Sequence, residues 1–130
     1  MPLARVYKTR WFTRWARREG LRDSLLCAAV EEIEDGLVEA SLGGRLFKKR
    51  IAQPGRGKRG GFRTIVVLQH RRAAFFVYGF AKNARDNIRA DELEALRKLA
   101  REMTSYDEKT LARVLESGAV IEVVCNAEAK

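Results

Sequence analysis

Ala73 to Ala81 read AAFFVYGFA, an apolar run of nine residues interrupted only by Gly79. A strand that is apolar on both faces belongs at the centre of a sheet, so this segment fixes what surrounds it. It is far too short to cross a bilayer, and no membrane partner is expected. Upstream, Phe62 to Gln69 reads as a second strand with Val66, Val67 and Leu68 buried. Leu46 to Gln53 reads as a third, in which Lys48 and Arg50 share one face. Lys49 points the other way with Phe47 and Ile51. The links between these strands, Pro54 to Gly61 and His70 to Arg72, are short, which predicts an antiparallel meander.

Helical patterns flank the meander. Ala4 to Lys8 forms a short first strand, and Thr9 to Arg18 a helix with Trp11, Phe12 and Trp15 on one side. Those aromatics pack on a second helix that opens at Asp23 and ends at Gly36. Its stripe is Leu26, Cys27, Val30, Ile33 and Leu37. Helix returns near Asp91 with Leu93, Leu96, Ala100 and Met103 facing the sheet. Ser105 to Glu108 has the form of a capping box for a helix that Gly118 closes, and Ala119 to Val124 is a last strand. The expected fold is α+β: β-α-α-β-β-β-α with an antiparallel sheet core and helices packed on one face, plus a C-terminal α-β appendage. Residues 1–103 make the main unit, and 104–130 are an appendage of the same domain.

At 130 residues, 46% of them hydrophobic, the chain is one domain able to bury a core without disulfides or metal. Cys27 and Cys125 form no CxxC pair and read as two reduced, buried thiols. With a single histidine and no Cys/His cluster, no structural zinc site is expected. The basic N-terminus lacks an apolar segment and cleavage site, so the expected compartment is the cytoplasm.

The charge is concentrated. From Ala40 to Arg85 there are twelve basic residues, seven glycines and no carboxylate, whereas the flanks sum to about −3. This window therefore holds the whole net charge of +9. Such a local excess suits a polyanion, because each neutralised phosphate releases condensed counterions. A P-loop is excluded: Lys58 is followed by Arg59, Ala52 stands where the first glycine belongs, and strands flank the turn on both sides. Paired carboxylates for glycoside or two-metal chemistry are missing from the window, so metal-dependent cleavage and cofactors are not expected there. His70, beside Arg71 and Arg72, reads as an exposed turn residue. An enzyme built on this window must work with lysine, arginine and tyrosine, and RNA can be cut without metal when its own 2′-hydroxyl attacks the adjacent phosphodiester. That needs a proton acceptor, cations around the phosphorane and a proton for the leaving 5′ oxygen. Crowding lowers a lysine's affinity for its proton, and arginine clamps phosphate in bidentate fashion.

Four pieces in order resemble the RelE/ParE superfamily of type II toxins, most closely its HigB-like branch: Lys48-Lys49-Arg50, the turn from Gly55 to Gly61, Phe62-Arg63, and Gly79 to Asn83. The resemblance covers roughly residues 3 to 103. It implies a ribosome-dependent mRNA endoribonuclease that inhibits translation, partnered by the 70S ribosome, mRNA and a helix-turn-helix antitoxin. It implies a phosphate-stabilising role for Arg63, basic catalytic roles for Lys48 and Arg50, and a match of Lys82 to the family's basic residue after the apolar strand. Lys49, Arg56, Lys58, Arg59, Arg71, Arg72 and Arg85 are then the nucleic-acid-gripping cations. The sequence departs from RelE at one point: the stretch from Asp86 to Leu99 has no tyrosine, while Tyr78 lies in the strand and Tyr106 beyond the helix. Two alternatives are a gyrase inhibitor of the ParE type and a non-catalytic nucleic-acid-binding protein.

Overall fold

The computed structural model describes residues 5–52, 61–69, 73–85 and 87–125. Among them the elements are β1 (Arg5–Thr9), α1 (Arg10–Glu19), α2 (Asp23–Glu34), β2 (Ala40–Gly43), β3 (Leu46–Ile51), β4 (Phe62–Gln69), β5 (Ala73–Ala81), α3 (Ala90–Thr104), α4 (Glu108–Ser117) and β6 (Val120–Val123). They form one six-stranded sheet of order β2-β3-β4-β5-β1-β6. The apolar strand β5 is interior as expected, with β4 antiparallel on one side and β1 parallel on the other. The meander β3-β4-β5 is antiparallel throughout, and β6 pairs antiparallel with β1. The fold is thus α+β with a mostly antiparallel sheet.

The helices lie on both faces of the sheet, a correction to the one-face expectation. Phe12 and Trp15 of α1 and Leu26 and Val30 of α2 pack on Phe62, Val66 and Phe76. Leu96, Ala100 and Met103 of α3 and Leu111 of α4 pack on Leu46, Ile65, Val67 and Phe75. The reason is β5 itself. Alternate side chains of an apolar strand point to opposite faces, and burying a phenylalanine on each is worth about 1.5–3 kcal/mol apiece. Gly79 marks where this packing is tightest. A Cβ there would stand 2.5 Å from the Trp15 ring, so only a glycine lets α1 approach the strand so closely.

Local chemistry explains most boundaries. Thr9 caps α1 by accepting the Phe12 N–H at 3.1 Å. The expected box at Ser105 is displaced: Asp107 caps α4 by accepting the Thr110 N–H at 2.8 Å. Ser105 instead donates to the Glu102 carbonyl at the end of α3. A carboxylate is the better acceptor at the positive end of a helix, so Asp107 prevails. The short edge strand β2 was not anticipated. Its hairpin to β3 turns at Gly44 and Arg45, both with positive φ (62° and 68°), the signature of a tight two-residue connection.

The cysteines are the other correction. Cys27 on α2 and Cys125 beyond β6 are joined by a disulfide across 98 residues, with Cα atoms 5.5 Å apart. Pairing of β6 with β1 carries the chain's end back beneath the α1–α2 hairpin, a proximity invisible in the spacing of the cysteines.

Candidate active site

The register of β3, β4 and β5 sets out two rows of facing residues. Arg50, Arg63 and Phe80 form one; Lys48, Ile65 and Tyr78 form the next. Directly opposed residues share a sheet face with Cβ atoms about 5 Å apart. Ile65 lies in the core under α3, so both rows are on that helix's face. Three of the expected catalytic residues, Lys48, Arg50 and Arg63, are therefore brought together. Lys82 follows at the end of β5, its N–H bound to the Gly61 carbonyl at 3.0 Å. Arg85 folds back so that its guanidinium lies 5.2 Å from the Phe80 ring centre.

This face is not free of acid. Glu39 and Glu92, from just outside the basic window, both reach it. Arg63 is 7% exposed and its Nε binds Glu39 Oε1 at 2.9 Å. Its Nη1 is buried and has no hydrogen-bond partner among the described residues. A buried donor left unmade is costly, so an incoming acceptor gains what the folded chain forgoes. Glu92 is the hub of the second row. It takes a bidentate pair of bonds from Arg85, the Tyr78 hydroxyl at 2.7 Å and the Arg89 N–H at 2.8 Å. The Arg85 bond above all holds its carboxyl down at about 2, below the usual 4.5. Burial first, then the bond to Glu92, pushes the Tyr78 phenol up from its ordinary value. Tyr78 is accordingly a phenol at neutral pH, a proton donor and not a base. Asn87 closes the network: its Oδ1 accepts from Lys48 Nζ at 3.2 Å, and its carbonyl from Arg85 at 3.1 Å. Among the described residues, no three His, Cys, Asp or Glu side chains cluster as metal ligands.

Lys49 is not brought to this site. It is 6% exposed on the opposite face, where Nζ binds Glu32 at 2.5 Å and the Leu37 carbonyl at 2.8 Å. That placement makes it an internal tie between β3 and α2 and takes it off the gripping surface. Arg56, Lys58, Arg59, Arg71 and Arg72 lie outside the described residues. Sequence reasoning missed Glu39 and Glu92 because they lie outside the stretch whose composition drew attention. Glu92 carries one usable signal, its place in the first turn of a helix. Trp11 also departs from expectation: it does not sit in the α2 stripe but stacks on Tyr78, ring centres 4.7 Å apart, and is 44% exposed.

A six-stranded α+β sheet with cations, a phenol and two carboxylates gathered at one end of its α3 face defines a small domain with a composite polar site. Residues 4–123 match the family described as the RelE toxin of the RelE/RelB toxin–antitoxin system. The chain belongs to that family, and is the toxin member of a toxin–antitoxin pair whose partner is a cognate antitoxin. No curated protein matches the sequence. Among the described residues, no helix is long and apolar enough to cross a membrane.

Proposed function

We propose that this toxin, a member of the HigB-like branch, is a ribosome-dependent endoribonuclease that inhibits translation by cutting mRNA in the cytoplasm, and that a helix-turn-helix antitoxin restrains it. The observation that supports this best is the pairing of two rows: Arg50 and Arg63 in one, Lys48 and the phenol Tyr78 in the next. Cleavage proceeds by attack of the 2′-oxygen on the adjacent phosphorus, with the P–O5′ bond breaking. Glu39 takes the 2′-hydroxyl proton. Arg63 offers its unused Nη1 to a phosphorane oxygen, and Arg50, Lys48 and Lys82 supply further positive charge. Tyr78, in place of the tyrosine missing from α3, protonates the departing 5′ oxygen. Arg56, Lys58, Arg59, Arg71 and Arg72 hold rRNA and mRNA backbone.

Inducing the wild type is expected to arrest growth and to create mRNA 5′ ends inside translated codons, mapped by primer extension. Arg63→Ala should reduce those ends by roughly 100-fold or more, the usual consequence of losing one donor to a developing anion. A thermal melt checks that the variant folds. Replication that stops first, with mRNA left whole, would show the reading to be wrong.

A further inference from the structure

The exposed face of α1 joins the site just described and has no role in it. Trp11 stacks on Tyr78 at an interplanar angle of 27° while leaving 44% of itself open to solvent. Arg14 and Arg18 follow it at i+3 and i+7, so the three form one stripe, and both arginines are exposed. Among the described residues neither arginine meets a carboxylate. The first turn of the helix has no acidic residue. Trp15, one turn on, is 5% exposed and packs on Phe12 and Phe62 as core; Trp11 also stacks on it, ring centres 6.2 Å apart, yet keeps 44% of itself open to solvent. An open indole continuous with the site, followed by a carboxylate-free stripe of arginines, fits a single-stranded nucleic acid. The indole takes a base by stacking, and the arginines take the phosphates that follow.

We propose that Trp11 is a base-stacking platform, and that Arg14 and Arg18 carry the RNA strand from Tyr78, at the end of the sheet that holds the site, onto α1. This rests on the RNA reading above and extends it by a binding subsite outside the cleavage chemistry. Trp11 fixes the position of one base relative to Tyr78, and so acts on which phosphodiester is presented and how tightly the strand is held.

The test uses a fully 2′-O-methylated RNA hexamer, which cannot be cut, and the same backbone with every base removed. Binding is followed by anisotropy of a labelled strand and by quenching of tryptophan emission. Trp11→Ala should weaken hexamer binding by about 5- to 100-fold and remove the quenching. Trp11→Phe should recover most of the affinity, and the abasic strand should bind wild type and Trp11→Ala alike. Replacing Arg14 and Arg18 together by alanine should flatten the dependence of log K on log salt by about 1.4, two phosphates' worth on a single strand. If the wild type binds the hexamer and Trp11→Ala binds it within twofold, the platform is refuted while the RNA reading stands. If Trp11→Ala keeps RNA affinity but loses the antitoxin, the patch is a protein interface and the proposal falls. If the wild type binds no hexamer even when 70S ribosomes are added, the RNA reading itself fails and takes the platform with it.

Discussion

Breaking the Cys27–Cys125 bond, by reduction or by replacing both cysteines with serine, tests how the end of the chain is held. The link closes a loop of 98 residues. Freeing a loop of that size raises the entropy of the unfolded chain enough to cost up to about 4.7 kcal/mol, and measured native disulfides commonly give about 2–4. Unfolding entropy near 60 °C is about 2.1 cal/mol/K per residue, or roughly 270 cal/mol/K for a chain of this length. The melting temperature should therefore fall by about 7 to 17 °C, read by circular dichroism on oxidised and reduced protein. Binding of the uncleavable hexamer at 25 °C should hold, because the bond joins α2 to the chain beyond β6 and includes none of the α3-face residues nor Trp11, Arg14 or Arg18 of α1. A fall of less than about 3 °C would refute the argument that this bond constrains the chain's ends. So would two thiols that titrate freely in oxidised native protein.

Gly79→Ala should destabilise the fold by about 1–3 kcal/mol in urea unfolding, since its new methyl would sit 2.5 Å from a Trp15 ring with no room to retreat. A neutral result would mean that α1 does not pack against β5 as closely as described. Glu92→Gln addresses the pH dependence. Glu92 ionises at about 2 in the folded chain against an ordinary 4.5, so its stabilising contribution is complete above 4.5 and is lost as pH falls from 4.5 towards 2. The variant should be less stable than wild type at pH 7, with the gap narrowing across that acid range. Parallel stability curves from pH 7 to 3 would remove Glu92 from the role of hub.

The pattern of apolar residues made most of the strands and helices legible. A run such as Ala73 to Ala81 has few places it can go, and its neighbours' alternation left little choice of face for Lys48, Arg50 and Arg63. These are statements about period and composition, which act over a few residues and are written in the chain directly. Even the cover on both faces was implicit in β5, although one-sided packing was expected. What the sequence could not show was which distant groups would meet. Glu39 reaches Arg63 and Glu92 gathers Tyr78 and Arg85, because strand pairing and the entry of α3 bring carboxylates from beyond the basic window onto its surface. Lys49, one residue from two site cations, is turned by the pleat to the opposite face and spent on Glu32. Cys27 and Cys125 meet for a similar reason, through the placing of β6 beside β1. By itself the sequence determined most of the elements, the central strand and the excess of positive charge. Tertiary structure alone decided which of those charges are neutralised, which is left with an unused donor, and where an aromatic surface stays open, since each depends on contacts between residues far apart in the chain.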